Sequence, residues 1–401
     1  MTSIKVKFNP STASGHEGNI CYQIIHDRKV RQLATDYRLF PEEWNEKRST
    51  VIFGSNSERK AFLLSLRENI RRDMKRFGKI RSRLDAEGLS YSADDIINEF
   101  KRFVTDCSLF NFAQSIIAML KHDSRLRTAE TYKSALMSFS RFRNNKDIVL
   151  DCITSETMES YEAWLKNRGV VPNTISFYMR ILRAVYNRAV EKGMIENLLP
   201  FRKVYTGIDK TVKRALPISA LKKIKSLNLS QQPSLDYARD MFLLSFCLRG
   251  MSFIDMAYLK KSDLKDGYVT YRRRKTGQQL IIQWTNEMQL ILNKYPENES
   301  IYLLPIIRNS NTNTRCICRN KSYNINHSLK KIAGMTGVNI PLTLYVARHS
   351  WASAAKTNGV PVSVISEGMG HDSESTTRIY LASLDTSLID RANSLVINSL
   401  K

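Results

Sequence analysis

The 401 residues are too many for one compact core and suit two or three domains, and an apolar share of 42% excludes a chain disordered throughout. Lys and Arg number 62 against 38 Asp and Glu, a formal net charge of +24, and a surplus that large predicts a polyanionic partner, nucleic acid foremost. The basic residues recur in every region, and there is neither a run of about 18 apolar residues nor an isolated basic amphipathic helix, which sets a membrane partner aside.

The opening segment MTSIKVKFNPSTASG has no apolar stretch of the kind a secretory signal needs, so the expectation is a cytoplasmic protein. From there to about residue 60 the chain reads as a small β meander. IKVKF alternates at period two, and NICYQIIH and KVRQLAT follow between polar, Gly-containing turns. Residues 58–84 turn helical and basic. Phe62, Leu63, Leu66, Ile70, Met74 and Phe77 recur at spacings of three and four, while Arg67, Arg71, Arg72 and Lys75 fill other faces. A sheet packed on such a helix suits either a DNA-reading module or a purely structural domain.

Residues 110–200 are helical throughout. One helix is expected to start at Thr128, in TAETYKSALMSFSRF. Another is opened by Pro172-Asn173-Thr174 and closed by Gly193, with Lys192 suited to the negative end of the helix dipole. Ile175, Met179, Leu182 and Tyr186 form its apolar stripe. Arg180, Arg183 and Arg188 lie off that stripe, where they meet either phosphates or water. Between 199 and 217 the pattern breaks at Pro200, Gly207 and Pro217. Arg202, Lys203, Lys210, Lys213 and Arg214 crowd this stretch, which reads as a linker able to run along a DNA backbone.

The last region, from 218, is mostly helical with one hairpin. Asp266-Gly267 makes a turn, YVTYRRR a strand, Lys275-Thr276-Gly277 a tip, and QQLIIQW the return strand. The six cysteines, at 21, 107, 152, 247, 316 and 318, contain no CxxC. Cys316 and Cys318 stand too close for a usual zinc knuckle, with His327 as the best neighbouring histidine, so reduced thiols and no metal site are expected.

Five positions in this region carry a chemical suggestion together that none carries singly. Arg249 ends the apolar helix MFLLSFCLRG, where a half-buried guanidinium needs an anionic partner. Lys275 stands at the hairpin tip, Arg348 in LTLYVARHSWAS, His371 in GMGH, and Tyr380 nine residues later in DSESTTRIYL. The segment ARHSWASAAKTNGVPVSVISEGMGHDSESTTRIYL resembles the tyrosine recombinase, or phage integrase, family almost end to end. It has that family's Arg-His-(Ser/Thr)-x-Ala, its Gly-His and its Thr-Thr-x-x-Tyr. LTLYVARHSWAS is similar in particular to integrases of Bacteroides-type mobile elements.

The resemblance implies a mainly α protein with small β elements. It would have an arm-type sheet-plus-helix DNA-binding domain over 1–105, a helical SAM-like core-binding domain over 106–200 and a basic linker over 201–217. A mixed, mostly helical catalytic domain would cover 218–401, ending in a helix that docks on a neighbouring protomer. Tyr380 would be the nucleophile, leaving a 3′-phosphotyrosyl link and a free 5′-hydroxyl. Arg249 and Arg348 would clamp the non-bridging oxygens, and His371 would donate to the phosphate or assist proton transfer. Lys275 would protonate the leaving oxygen. The link keeps the phosphodiester energy, so neither ATP, metal nor other cofactor is implied.

Two departures stand out. Tyr345 occupies the position, three before the second Arg, where the family usually has His; it can line the site and donate one hydrogen bond, and it raises a rival nucleophile. Ser252 stands where the family often has Glu, leaving Asp255 to orient Arg249 or a neighbour. Arg272, Arg273 and Arg274 are expected to supply DNA-backbone contacts. The implied partners are double-stranded DNA at core and arm sites, three further copies in a tetramer, and a host DNA-bending protein or directionality factor. The implied role is integration or excision of a mobile element. An invertase of the same chemistry, a type IB topoisomerase and a non-cutting DNA-binding regulator are the alternatives.

Overall fold

Alternation in the first segment resolves into an antiparallel meander of β1 (Thr2–Asn9), β2 (Gly18–His26) and β3 (Lys29–Leu39). The computed structural model describes residues 2–13, 15–53, 57–88, 90–209, 214–308, 313–381, 393–394 and 396–399, and the side chains of all of these except 57, 58, 379 and 380. In register, Val6, Tyr22 and Leu33 form one row and Lys5, Gln23 and Gln32 the next. Side chains alternate across a sheet, so the first row enters the core while the second lies on the opposite, polar face. A short ribbon, β4 (Trp44–Asn45) with β5 (Thr50–Val51), leads into the long helix α1 (Ser57–Glu87), and α2 (Ala93–Asp106) follows.

Leu63, Leu66, Ile70, Phe77 and Ile80 of α1 share a core with Ile20, Tyr22, Ile24 and Phe100, and the rings of Phe77 and Phe100 stack 4.2 Å apart. Phe62, expected on the same stripe, is 48% exposed. Leu63 takes the inward position beside it, and the Arg59 guanidinium covers the Phe62 ring at 5.2 Å.

Four helices build a second core: α3 (Leu109–His122), α4 (Leu126–Phe142), α5 (Ser155–Asn167) and α6 (Pro172–Glu191). α4 begins two residues before the expected Thr128. The stripe of α6 is buried as its periodicity predicts, and Gly193 follows it with φ +68°, the left-handed turn a helix end favours. Residues 1–209 form one compact unit. Within it Arg76 of α1, 8% exposed, ties the two cores together. Its guanidinium bonds Asp73, Cys152 Sγ (3.3 Å) and both carboxylate oxygens of Asp151. Tyr22 and Tyr37 donate to the same Asp73 at 2.7 and 2.9 Å. Removing one partner from such a buried group leaves the others charged and unpaired. Arg76→Ala is therefore expected to destabilise this unit by about 3–5 kcal/mol in denaturant unfolding.

Residues 210–401 form the second unit. Its helices α7 (Ile218–Ser226), α8 (Pro233–Cys247) and α9 (Phe253–Ala257) precede a sheet of β6 (Leu264–Lys265), β7 (Tyr268–Arg272) and β8 (Gln279–Gln283). Then come α10 (Asn286–Leu292), α11 (Thr314–Thr336), α12 (Leu344–Thr357), α13 (Val362–Met369) and α14 (Glu374–Leu381). Apolar residues of α8, α11 and α12 and of the sheet share one core. In the tail, where a docking helix is expected to carry Leu384, Leu388, Ala392, Leu395 and Val396 on one stripe, Val396 is exposed and the other four lie outside the described residues, as do Lys210 and Lys213 of the expected linker. No helix among the described residues is long and apolar enough to cross a membrane.

Candidate active site

α8 ends in a tight left-handed turn. Arg249 has φ +57° and Gly250 φ +71°, an uncommon conformation for a side-chain-bearing residue and one that clusters at functional sites. The turn brings backbone against backbone: a Cβ on Gly250 would lie 2.5 Å from Cα of Arg348. Only glycine fits there. Arg348 reaches back from α12, donating from Nη1 to the carbonyl of Gly250 (2.9 Å) and from Nη2 to that of Met369 (2.7 Å). It is 3% exposed, and its Nε has no partner among the described residues. Burial and the neighbouring Arg273 hold its pKa down to about 10, still charged at neutral pH. Arg249, half-buried, lies beside Gly368, whose added Cβ would be 3.7 Å from Arg249 Cδ. Three sequence segments, Arg249–Gly250, Arg348 and Gly368–Met369, thus bring two guanidiniums to one place.

His371 completes this cluster. Its Nε2 stands 3.0 Å from Arg348 Nη2, and its Nδ1 is 2.8 Å from the hydroxyl of Thr377, a fully buried residue of α14. A guanidinium can only donate, so Nε2 accepts and the proton of the neutral ring sits on Nδ1. Burial first, then Arg348, Arg273 and Lys275, lower the His371 pKa to about 4. The imidazole is therefore neutral at pH 7, with an unprotonated Nε2 that accepts from Arg348.

The β7–β8 hairpin closes over the same place. Lys275 is exposed at its tip, as expected. Arg272 and Arg274 also face outward, but Arg273 is 8% exposed and its guanidinium donates to the carbonyl of Gly370. Its expected role beside them as a DNA-backbone contact does not fit that placement. The signal was in the sequence: Val269 and Tyr271 alternate inward along β7, and Arg273 continues the same parity. Asp255, 5% exposed, accepts from the backbone N–H of Arg274 (2.9 Å) and from the Ser252 hydroxyl (2.7 Å), so the neighbour it orients is the hairpin.

Tyr345 lines a cavity of about 330 Å³ with Gly250, Ser252, Asn326 and Arg348. It is 54% exposed, and its ring meets His349 edge-on at 5.0 Å. Desolvation of its hydroxyl raises its pKa against the pull of Arg348 and Arg273. Tyr380 occupies the next-to-last position of α14, one turn beyond Thr377; its side chain is outside the described residues. In the first unit Arg180 and Arg202 are exposed, Arg183 is half-buried and Lys203 pairs loosely with Glu159 at 3.9 Å; in the second unit Arg214 is exposed. Among the described residues no group of three or more His, Cys, Asp or Glu could hold a metal ion.

Residues 108–204 match the phage integrase SAM-like domain, and residues 220–387 match the phage integrase family. A tyrosine recombinase XerD of Listeria innocua is 24% identical over 264 residues, which cover 63% of this chain and 86% of that protein. Among solved structures, a lambda integrase dimer bound to a COC′ core site is similar with a TM-score of 0.54 and 16% identity, over 94% of this chain and 97% of that one. A lambda integrase tetramer bound to a Holliday junction gives 0.53 and 15%, over 94% of each chain. At these identities the two structures speak to the fold.

Proposed function

The chain belongs to the phage integrase family of tyrosine recombinases, and on that premise we propose that it breaks and rejoins DNA strands through a covalent link from Tyr380 to a phosphate. The observation that carries the reading is the convergence of Arg249, Arg348 and His371 on one cationic pocket, reached by the helix that bears Tyr380. A buried or half-buried guanidinium with no carboxylate ion pair among the described residues, as at Arg348 and Arg249, is costly until an anion arrives. A phosphodiester supplies that anion, and two forks around its non-bridging oxygens stabilise the charge that builds in the transition state.

The neutral His371 is assigned to assist proton transfer from Tyr380, its Nε2, which accepts from Arg348, being released to take the phenol proton as that guanidinium turns to the phosphate. Lys275 at the exposed tip is assigned the proton for the departing 5′-oxygen. Tyr345 contributes one hydrogen bond to the phosphate. Exposed Arg180, Arg202, Lys203, Arg214, Arg272 and Arg274, half-buried Arg183, and Lys210 and Lys213 are assigned to the DNA backbone. The polar outer face of the N-terminal sheet, where Lys5, Gln23 and Gln32 lie in one row, carries side chains able to read base edges, which supports an arm-site module. We place the reaction in a tetramer that passes through a Holliday junction, serving a mobile element of the Bacteroides type; inversion of a DNA segment uses the same steps.

The test is a nicked duplex bearing an end of the element that encodes the protein, incubated in EDTA without ATP. An adduct that survives denaturation, with the protein on the 3′ side of the break, is the expected result. A duplex that is bound but never joined to protein would overturn the reading in favour of a DNA-binding regulator that does not cut.

A further inference from the structure

Arg273 is a buried cation that the reaction as described leaves idle. Its backbone closes the hairpin tip: its N–H donates to the Gln278 carbonyl (2.8 Å) and its carbonyl accepts from Gly277 N–H (2.7 Å). Its side chain leaves the hairpin and donates to the carbonyl of Gly370, the residue immediately before His371. The two parts fit flush. A Cβ on Gly370, which has φ +64°, would lie 3.3 Å from Arg273 Cδ and 2.9 Å from Leu280 Cδ1. From the other side Asp255 holds the N–H of Arg274, whose guanidinium lies 4.2 Å over the Tyr258 ring. Lys275 follows directly.

We propose that Arg273 is a positioning residue that clamps the Lys275 hairpin tip to the His371 turn, so that the proton donor and the phosphate-binding groups meet at the same phosphate. The inference rests on the recombinase reading above and on Lys275 as the general acid. A hairpin tip is otherwise among the more mobile parts of a fold, and an acid displaced by about 1 Å costs on the order of 10²-fold in rate. Direct phosphate binding is a poorer account of Arg273, because its guanidinium is committed to Gly370 and, unlike Arg348 with its unpartnered Nε, it keeps no buried donor without a partner among the described residues. During cleavage the Tyr380 oxygen bonds to phosphorus as the bond from phosphorus to the 5′-oxygen breaks, and that oxygen takes its proton from the Lys275 ammonium. When sulfur replaces the bridging 5′-oxygen, the leaving group departs as a thiolate and needs no proton.

The experiment compares single-turnover cleavage of nicked duplexes carrying 5′-bridging oxygen or 5′-bridging sulfur by the full-length wild type, Lys275→Ala, Arg273→Gln and Arg273→Lys. Arg273→Gln is expected to lose about 10²-fold on the oxygen duplex. On the sulfur duplex it should return to within a few-fold of wild type, in parallel with Lys275→Ala. Arg273→Lys, which can still donate to Gly370, should fall between, and it carries the same comparison if Arg273→Gln does not fold. An equal deficit on both duplexes would overturn the proposal, placing Arg273 at the phosphate or in the fold alone, and so would wild-type speed on oxygen. If wild type cuts but Lys275→Ala is not rescued by sulfur, the general-acid assignment fails and takes this inference with it. Absence of an adduct from wild type on both duplexes would instead remove the recombinase reading itself.

Discussion

Tyr380→Phe is expected to abolish the covalent protein–DNA adduct, slowing its formation by at least ~10³-fold while leaving affinity for the duplex nearly intact. The substitution deletes one oxygen and keeps the ring, so loss of the adduct reports the nucleophile and not the packing of α14. Tyr345 is the rival, because a phenol stands there, in a cavity it lines with Arg348, in place of the family's usual imidazole. Its environment argues against it. Desolvation holds its hydroxyl above the ordinary phenol range, which makes it harder to ionise than a tyrosine in water. It also lies on α12, next to His349 and across the Gly250 cavity, whereas His371 is bonded to Thr377 on the helix that carries Tyr380. Tyr345→Phe should therefore slow the reaction by about 10-fold, the effect of one lost hydrogen bond to the phosphate, and still form the adduct. The two variants, assayed on the same nicked duplex for adduct and for binding, separate the roles. An adduct that persists in Tyr380→Phe and disappears in Tyr345→Phe would reverse the assignment.

What the sequence made legible here follows from which features are local. The meander, the long basic helix, the stripe of α6 and the hairpin all rest on periodicity within about 20 residues, and they stand close to where alternation and helical spacing put them. Arg348, His371 and Tyr380 were legible because α12, α13 and α14 follow one another within 38 residues, so a short run of sequence already holds most of the pocket. Arg249 was legible from its place at the end of an apolar helix, but its surroundings were not, since nothing around it indicates that Gly250 would be pressed against Arg348 across 98 positions. The Arg76–Asp151 tie was not legible at all. It depends on how two cores pack, and each residue alone reads as ordinary surface charge. Arg273 is the instructive case: its parity with Val269 and Tyr271 was visible, but three consecutive arginines read as a run of DNA-backbone contacts. Composition obscured alternation.

Arg348→Lys should separate charge from geometry at the centre of the pocket. The expected result is a loss of about 10²–10³-fold in adduct formation, with affinity for the duplex changed only a few-fold. A guanidinium is planar and carries donors on three nitrogens, and here two of them reach carbonyls on separate elements, Gly250 after α8 and Met369 at the end of α13. The third, Nε, has no protein partner among the described residues, and Nη2 also meets His371 Nε2. An ammonium is a compact point charge that cannot span both carbonyls and still face a phosphate. The surroundings also weaken its charge. Burial and Arg273 bring Arg348 down to about 10, and the same forces act on a lysine whose ordinary pKa is only about 10.4, pushing it toward the neutral form at assay pH. Affinity should hold because phosphate contacts spread along the duplex supply most of the binding energy, and one buried position contributes a small share of it. Thermal unfolding measured beside the rate identifies any structural part, since two carbonyls that lose a donor cost about 1–3 kcal/mol each at most. A variant that keeps its rate within a few-fold of wild type would mean that Arg348 is a strut between α8 and α13, with the transition-state charge borne by Arg249 and its neighbours.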